Sequence, residues 1–367
     1  MNRGQSYQDT GGGPEGGQRN DLRGKSFTER VRREFRDLRD AMLTDEQRAR
    51  LRRHWAPLRW ALGGFWLMRR LLMSLTPTRK VLLIIGLVLS LARITVQSDR
   101  MNTDGGIAPA GLILILFVLM LELKDKLLAR HELEDGHAVQ RALMPERSPA
   151  VSGWRLWLFT RPANEVGGDL VDFVRLDRGR SALVIGDVAG KGLKAALLTA
   201  KLQATLRAFI PESPSLVDLV SRVNAVFRRD ALPQVFASVA CACIEEGKGA
   251  VEIVNAGHPP PLVVRLNSVE QLAKGGPALG LIDSAQFGRQ AVDLAPGEIV
   301  LIYSDGLIET RNGAGEFFGE EKLRTMLAGS CESSAGELGD RLVEACDRFQ
   351  GDAPAHDDLS LVILQRT

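Results

Sequence analysis

The chain has 367 residues and a formal net charge of +2, and its length indicates two or three structural units. So small a net charge indicates no class of partner. The distribution of charged residues is more informative, because Arg is concentrated in residues 30–53 whereas the distal part is rich in Asp. The four cysteines offer no second ligand pair at zinc-like spacing, which argues against a zinc site and favours reduced, partly buried thiols.

The N-terminal part is predicted in two pieces. Residues 1–25, rich in Gly, Gln and Asn, predict a disordered N-terminus and lack the apolar core of a signal peptide. Residues 26–76 form a basic segment of helical composition, in which Leu58–Leu75 mixes aromatic residues with Arg as interfacial helices do. A basic segment can bind nucleic acid, but strongly apolar sequence follows this one, so a membrane surface is the favoured partner.

Two apolar runs, Val81–Val96 and Ile107–Leu121, predict a helical membrane hairpin over residues 77–122. Each is near the short limit of the roughly 17–25 residues that span a bilayer, and Arg93 is close enough to the end of the first run to snorkel. Basic residues flank the outer ends more than the connecting loop, which predicts an inner (cytoplasmic) membrane protein with both termini in the cytoplasm. The alternative is a buried helical hairpin of a soluble protein.

A charged linker helix is predicted over residues 123–146, and Pro145 and Pro149 close it. Its apolar positions are too irregular for a heptad seam, and Gly136 weakens the helix. It could still form a homodimer contact or relay a signal.

From residue 147 to 367 the pattern changes to mixed helix and strand. Strands are predicted at 154–158, 170–176, 181–188, 236–244, 251–255, 262–266, 290–294, 299–304 and 359–364, and helices at 191–209, 215–229, 320–328 and 335–348. Hairpin-linked strands with two helix pairs predict an α+β fold in which two antiparallel β-sheets are sandwiched between helix pairs.

Short motifs in this region place Asp beside Gly or at the ends of apolar strands. They are Val166-Gly167-Gly168-Asp169, Gly186-Asp187-Val188, Ser304-Asp305-Gly306 and Asp357-Asp358. A carboxylate at the end of a buried strand is costly to keep ionised unless a cation or hydrogen-bond donors meet it. Several such carboxylates without matching Lys or Arg predict a divalent metal site with oxygen ligands. The alternative is that each Asp is a turn or cap residue, its usual role beside Gly.

The segment Gly186–Gly192 differs from a phosphate-binding P-loop in two respects. Three residues separate Gly186 from Gly190 where the P-loop needs four, and Gly192 replaces the Ser or Thr that meets magnesium. The small residues instead allow a sharp turn from strand to helix, so that Asp187 and the carbonyl of Val188 can point at one spot.

These motifs, with Asn255-Ala256-Gly257-His258-Pro259 between them, resemble in identity and order those of the PPM-class metal-dependent serine/threonine phosphatases. The closest resemblance is to the bacterial SpoIIE/RsbU branch, and it extends from about Arg141 to the C-terminus. The resemblance implies a two-sheet αββα phosphatase fold with two Mn²⁺ or Mg²⁺ ions at one end.

Carried over by position, the resemblance implies that Asp187 bridges both metals and that Val188 binds one through its carbonyl. Asp169, Asp305 and Asp357 complete the shell directly or through waters, while Asp358 more often supports such a cluster than binds metal. Asp169, Asp187 and Asp305 are thus the candidate catalytic residues. A metal-activated water attacks phosphorus, so no protein nucleophile is needed.

The substrate implied by the resemblance is a phosphoserine or phosphothreonine on a regulatory protein, typically a phosphorylated STAS-type anti-sigma-factor antagonist in bacterial signalling. The alternative is a catalytically silent relative that acts as a membrane-tethered scaffold or binding module.

Other polar residues near the motifs receive lesser roles. His258 invites a general-acid role, but it lies at a strand-to-loop corner that the family uses mainly as structure. Arg161 could touch a phosphate oxygen, although an exposed position is commoner. Lys191 is better suited to packing or solvation than to catalysis, and Asp172 and Glu309 are expected to hydrogen-bond neighbouring elements.

Overall fold

The computed structural model describes residues 73, 75–91, 93–98, 101–106, 108–230 and 234–367. The predictions of a disordered N-terminus and of nearly all of the basic segment lie outside the described residues. The chain divides into two compact units, Met1–Lys126 and Leu127–Thr367.

In the first unit, helix α1 (Pro77–Leu91) packs against the start of helix α2 (Ala108–Leu143). The two backbones approach closely at glycines, because a Cβ on Gly111 would lie 2.4 Å from the Gly86 carbonyl oxygen. Arg79 ties the helices together, with its guanidinium nitrogens 2.8 Å from Glu122 Oε2 and 2.5 Å from Asp125 Oδ2. Two packed helices therefore occupy most of the segment 77–122 for which a hairpin is predicted.

The prediction that the first apolar run is helical as far as Val96 is wrong. Helix α1 ends at Leu91, and strands β1 (Arg93–Ser98) and β2 (Met101–Gly106) form an antiparallel pair that includes the predicted loop. The β-branched residues 94–96 favour extended backbone over helix. The 15 residues of α1 span roughly 22 Å, less than the bilayer core of about 30 Å. No helix among the described residues has the length and apolar character needed to cross a membrane.

The second unit contains the predicted α+β sandwich, which is confirmed. Its strands are β3 (Trp154–Arg161), β4 (Asp169–Arg175), β5 (Arg180–Val188), β6 (Ala237–Glu245), β7 (Ala250–Ala256), β8 (Leu262–Val264), β9 (Val269–Gln271), β10 (Arg289–Asp293), β11 (Ile299–Tyr303) and β12 (Leu359–Arg366). They form two five-stranded sheets of order β10-β7-β6-β5-β4 and β3-β12-β11-β8-β9, with every strand pair antiparallel. Strand β9 was not predicted, because three residues of mixed polarity show no alternation.

Helices cover the outer faces of both sheets. They are α3 (Leu193–Phe209), α4 (Leu216–Asp230), the short α5 (Asp305–Ile308), α6 (Gly319–Leu327) and α7 (Ala335–Gln350). Leu202 and Leu206 of α3 pack with Val184 of β5 in one buried cluster, and Leu338 and Leu342 of α7 pack against the other sheet. Inward-facing residues of the two sheets form a third cluster between them. Hydrophobic burial therefore fixes two sheets face to face, and their strand ends position the site.

Candidate active site

The aspartate motifs of the sequence meet at one end of the sandwich. Asp169 begins β4 and Asp187 lies near the end of β5, where the two residues are direct partners across the β4–β5 ladder. Asp305 follows β11, and Asp357 lies just before β12, the strand that pairs with β11 in the other sheet. The fold therefore joins carboxylates from both sheets into one cluster.

The Asp187 carboxyl carries the electrostatic signature of this cluster. Its pKa is raised to about 7, first by burial and then by the negative charges of Asp305, Asp357 and Asp358. Lys191 acts in the opposite direction and lowers the pKa. Like-charged carboxylates at one buried place favour the neutral form unless a cation joins them.

Asp169 shows the same effect with an additional structural mark. Burial raises its pKa well above the ordinary value, and Asp187 and Asp358 add to the shift. Its Oδ2 atom is buried and has no hydrogen-bond partner in the part of the chain that the structure describes. Burial, followed by the charge of Asp357, also raises the pKa of Asp305.

These carboxylates suit a hard divalent cation, which takes oxygen ligands. As the side chains stand, no three His, Cys, Asp or Glu residues within the described ranges are grouped closely enough to hold an ion. However, Asp169 has a buried oxygen without a hydrogen-bond partner among the described residues, and Lys191 offsets only part of the repulsion at Asp187. Both features favour the binding of a cation. The donor set therefore fits the metal that the resemblance implies.

Asp358 holds the loop before β4 in place. Its carboxylate accepts hydrogen bonds from the backbone N–H groups of Ala163, Gly168 and Asp169, at 2.7, 2.6 and 3.2 Å. Both of its oxygens are thereby occupied by protein donors. Its geometry is that of a residue that positions the cluster, and metal ligation by Asp358 stays a prediction.

Glycine is required where the motif loops pack on one another. A Cβ on Gly168 would lie 2.9 Å from the Val188 carbonyl oxygen and 3.2 Å from Asp187 Oδ1, so this close packing depends on glycine. Gly190 and Gly192 have φ values of 125° and 72°, which glycine adopts without strain. The sharp turn predicted between β5 and α3 therefore rests on these glycines.

Lys191 lies on the same turn and reaches the opposite loop. Its Nζ donates to the carbonyl oxygen of His356 at 2.6 Å and lies 3.8 Å from Asp357 Oδ2. The ammonium thus fastens the β5–α3 turn to the segment that carries Asp357. This contact agrees with the prediction of a packing role.

His258 is built into the corner that follows β7. Its backbone N–H donates to Asn255 Oδ1 at 2.8 Å, the Asn255 amide donates back to its carbonyl at 3.0 Å, and Nδ1 lies 2.9 Å from Ser238 Oγ. Burial lowers the pKa of His258 to about 3, so the ring is neutral near pH 7. Its contacts fit a structural role better than that of a cationic acid.

Two charged residues near the motifs are held in ion pairs. Arg161 makes two contacts with Asp347, at 2.6 and 3.1 Å, so its guanidinium is directed to α7. Asp172 is buried and binds Arg207 of α3 through both carboxylate oxygens, at 2.7 and 2.8 Å. The expectation that Asp172 hydrogen-bonds a neighbouring element is confirmed.

The cysteines are poorly suited to act as nucleophiles. Burial raises the pKa of Cys241 to about 12 and that of Cys346 to about 11, and it also raises the pKa values of Cys243 and Cys331. These thiols stay protonated near neutral pH, whereas the thiolate is the reactive form.

The sequence did not predict two polar contacts to the loop before β4. Gln140 of α2 donates to the Gly167 carbonyl at 2.9 Å and accepts from the Gly167 N–H at 3.1 Å. Thr199 Oγ1 donates to the Gly168 carbonyl at 2.6 Å. A threonine in the apolar stripe of α3 was a usable signal for the second contact, but the first has no local sequence pattern.

Comparison with known proteins finds similar chains and a matching family model. The family model described as Stage II sporulation protein E (SpoIIE) matches residues 177–367. Protein IcfG of Synechocystis is 27% identical over 273 residues, which is 67% of this chain and 43% of that protein. The phosphoserine phosphatase RsbU of Bacillus subtilis is 26% identical over 242 residues, 65% of this chain and 70% of RsbU.

The fold also has a solved counterpart. The SiaA-PP2C domain of Pseudomonas aeruginosa superposes with a TM-score of 0.58 at 20% identity, covering 66% of this chain and 98% of that domain. At this identity the match shows a shared fold. The chain spans less than half of IcfG and about two thirds of RsbU.

Proposed function

Because this chain belongs to the SpoIIE family of protein serine/threonine phosphatases, we propose that it hydrolyses phosphoserine or phosphothreonine on a regulatory protein in a metal-dependent reaction. One observation carries the proposal. Buried carboxylates from both sheets meet at one end of the sandwich, and their charge is not balanced by the single lysine that acts on Asp187. RsbU, a relative by sequence, is named a phosphoserine phosphatase, which supports the same reaction.

The proposed ligand set follows the order of the motifs. Asp187, Asp169, Asp305 and Asp357, together with the Val188 carbonyl, would hold two Mn²⁺ or Mg²⁺ ions. Bound divalent ions would supply a water of lowered pKa and a counter-charge for the phosphoryl oxygens. The donors are oxygen atoms throughout, as these hard cations prefer.

The remaining residues of the site have positioning roles. Asp358 orients the backbone of Gly168 and Asp169 and so directs the Asp169 carboxylate toward Asp187. Lys191 joins the β5–α3 turn to the loop of Asp357. The two residues after Asp187 are Val188 and Ala189. Neither side chain can act as a general acid that protonates the leaving group.

An activity assay tests this proposal against the alternative of a catalytically silent scaffold. We expect the full chain to hydrolyse p-nitrophenyl phosphate and a serine phosphopeptide in the presence of Mn²⁺. EDTA should stop both reactions, and added Mn²⁺ should restore them, because the proposed reaction requires the metal-bound water. Absence of Mn²⁺-dependent turnover in a folded, metal-loaded chain would favour the scaffold.

We further propose that the substrate is a phosphorylated STAS-type anti-sigma-factor antagonist. The support is the resemblance to RsbU and the structural likeness to the RsbU and RsbW domains of a Mycobacterium tuberculosis protein, at 27% identity and a TM-score of 0.53. We also propose that the chain forms a homodimer through the linker part of α2. Dephosphorylation of such an antagonist, followed on a phosphate-affinity gel, tests the substrate directly.

Attachment to the inner (cytoplasmic) membrane, with the phosphatase domain in the cytoplasm, is a separate proposal. Its support is the apolar outer surface of α1 and the start of α2. The exposed residues are Val81, Ile84, Ile85, Leu87, Val88, Leu112, Ile113, Leu116, Phe117, Leu119 and Met120. Water-exposed apolar surface of this extent is unfavourable unless lipid or protein covers it.

We expect the full chain to sediment with membranes and to need detergent for extraction. A cysteine introduced at Gly315 should react with a membrane-impermeant reagent only after lysis, because the phosphatase domain is proposed to lie in the cytoplasm. Recovery of the intact chain in a detergent-free soluble fraction would contradict the attachment.

A further inference from the structure

A cleft of about 460 Å³ opens beside the carboxylate cluster. Its lining includes Asp187 and Asp305 of the cluster together with Phe236, Pro259 and Lys274. Ligand pockets occupy roughly 300–1,000 Å³. The cleft therefore has room for more than a phosphoryl group, and its other lining residues can contact other parts of a substrate.

The backbone on both sides of Lys274 is fixed. The Ala273 carbonyl accepts a hydrogen bond from Gln290 Nε2 at 3.0 Å, and the Gly276 N–H donates to the Asn255 carbonyl at 2.9 Å. Gly275 packs so closely on Asn255 that a Cβ at this position would lie 2.0 Å from the Asn255 carbonyl oxygen. The Lys274 side chain therefore extends from a rigid point on the cleft wall.

The Lys274 ammonium is free to bind a substrate. The side chain is exposed, and it makes no hydrogen bond or ion pair with any residue that the structure describes. Lys191 differs in this respect, since its ammonium contacts His356 and Asp357. Lys274 is therefore an exposed cation in the cleft lining that no described carboxylate engages.

The apolar part of the cleft lining suits a polypeptide. Phe236 keeps 40% of its surface exposed, and its carbonyl accepts the Ala189 N–H at 2.9 Å, which joins this wall to the turn that follows Asp187. Pro259 and Pro260 are half-buried and stiff, and neither has a backbone N–H to satisfy. An extended chain with a negative side chain matches apolar walls next to an unpaired cation.

Resting on the proposed phosphatase function, we infer that Lys274 determines specificity by pairing with a carboxylate of the substrate, next to the phosphorylated residue in its sequence. The phosphoryl group itself belongs at the carboxylate cluster. No described carboxylate oxygen lies within 4 Å of the Lys274 ammonium, whereas Lys191 does lie within that distance of Asp357. The partner is therefore an acidic phosphoprotein segment, and Lys274 contacts its flanking residue.

The test uses the full chain with Mn²⁺ and two serine phosphopeptides that differ only in having Glu or Gln on both sides of the phosphoserine. We expect Lys274→Ala to lower kcat/KM for the Glu peptide by about fivefold, the upper range for an exposed ion pair, and Lys274→Glu to lower it further. Turnover of the Gln peptide and of p-nitrophenyl phosphate should change by less than about twofold, because neither offers the carboxylate. Lys274→Arg should retain the preference for Glu.

Lys194→Glu is the matched control, because Lys194 is exposed near the same site and does not line the cleft. It changes the net charge equally and should leave the preference between the peptides intact. Equal loss on both peptides after Lys274→Glu, or a loss that includes p-nitrophenyl phosphate, would overturn the assignment. Loss of the preference for the Glu peptide in Lys194→Glu would also overturn the assignment of Lys274.

Binding of the two peptides, measured by fluorescence anisotropy, separates this inference from the phosphatase proposal. A Lys274-dependent preference for the Glu peptide in a chain without turnover would support the docking role and reject the enzymatic one. Turnover without any Lys274-dependent preference would support the enzymatic proposal and reject the docking role of Lys274.

Discussion

Replacing Asp187 by Asn should lower Mn²⁺-dependent turnover of p-nitrophenyl phosphate by more than about 100-fold while the fold persists. Outer-shell partners of a metal are each worth about 10–100-fold in activity, and Asp187 is itself a proposed metal ligand. Asp187 lies across the ladder from Asp169 and feels the charges of Asp305 and Asp357. Asp305→Asn should act in the same direction. Steady-state kinetics over a range of Mn²⁺ concentrations measures the effect.

The same substitution should not destabilise the metal-free protein. Burial and neighbouring carboxylates raise the pKa of Asp187 to about 7, so its ionised form is unfavourable in the fold, and a neutral amide removes that repulsion. The thermal midpoint in EDTA should therefore equal or exceed that of the wild type. Asp293→Asn, on the exposed edge of β10, is the control. Near-normal turnover of Asp187→Asn would refute the site assignment.

The second large effect concerns stability, at the pair of Asp172 and Arg207. The Asp172 side chain is 1% exposed and depends on Arg207 for its charge partner, whereas Arg207 is 42% exposed. Arg207→Met would leave a buried carboxylate unpaired, at a cost of about 3 kcal/mol. For a domain of this size the thermal midpoint should fall by about 6–12 °C. Differential scanning calorimetry of the metal-free chain measures the change.

A double substitution provides the control for this prediction. Asp172→Asn with Arg207→Met removes both charges and should recover part of the lost stability. Arg229→Met breaks an exposed pair with Asp230 and should cost less than about 1 kcal/mol. A thermal midpoint of Arg207→Met equal to that of the wild type would show that the pair contributes nothing.

The sequence predicted much of the catalytic domain because its signals are local. Strands β5 and β12 are apolar runs that are buried almost throughout, and α3 carries an apolar stripe, so each signal lies within one element. The motif aspartates stand at the ends of such strands, so their convergence followed from the order of motifs in a known fold. The pairing of Asp169 with Asp187 in the register agrees with this expectation.

Other features depend on partners that are distant in sequence. Gln140 binds both backbone groups of Gly167, and the Leu143 carbonyl at the end of α2 accepts from Gln203 and Arg207. No periodicity encodes a side chain that meets a loop or a helix end elsewhere in the chain. These contacts connect the linker part of α2 to the loop before Asp169, whereas the sequence suggested only that this helix could relay a signal.

The positioning role of Asp358 also depends on residues that are distant in sequence. Its position beside Asp357 suggested a ligand, and only the fold shows its carboxylate meeting the N–H groups of Ala163, Gly168 and Asp169. The early end of α1 at Leu91 is a different case. The apolar run continues beyond it, but hydropathy alone does not register that the β-branched residues 94–96 favour a strand.

Calorimetric titration of the metal-free full chain with Mn²⁺ tests the central claim most directly, because it measures binding without requiring turnover. We predict that the wild type and Asp293→Asn bind two ions per chain and that Asp187→Asn loses at least one of them. Equal Mn²⁺ binding by the wild type and Asp187→Asn, or no binding by a folded wild type, would contradict a metal centre at this carboxylate cluster.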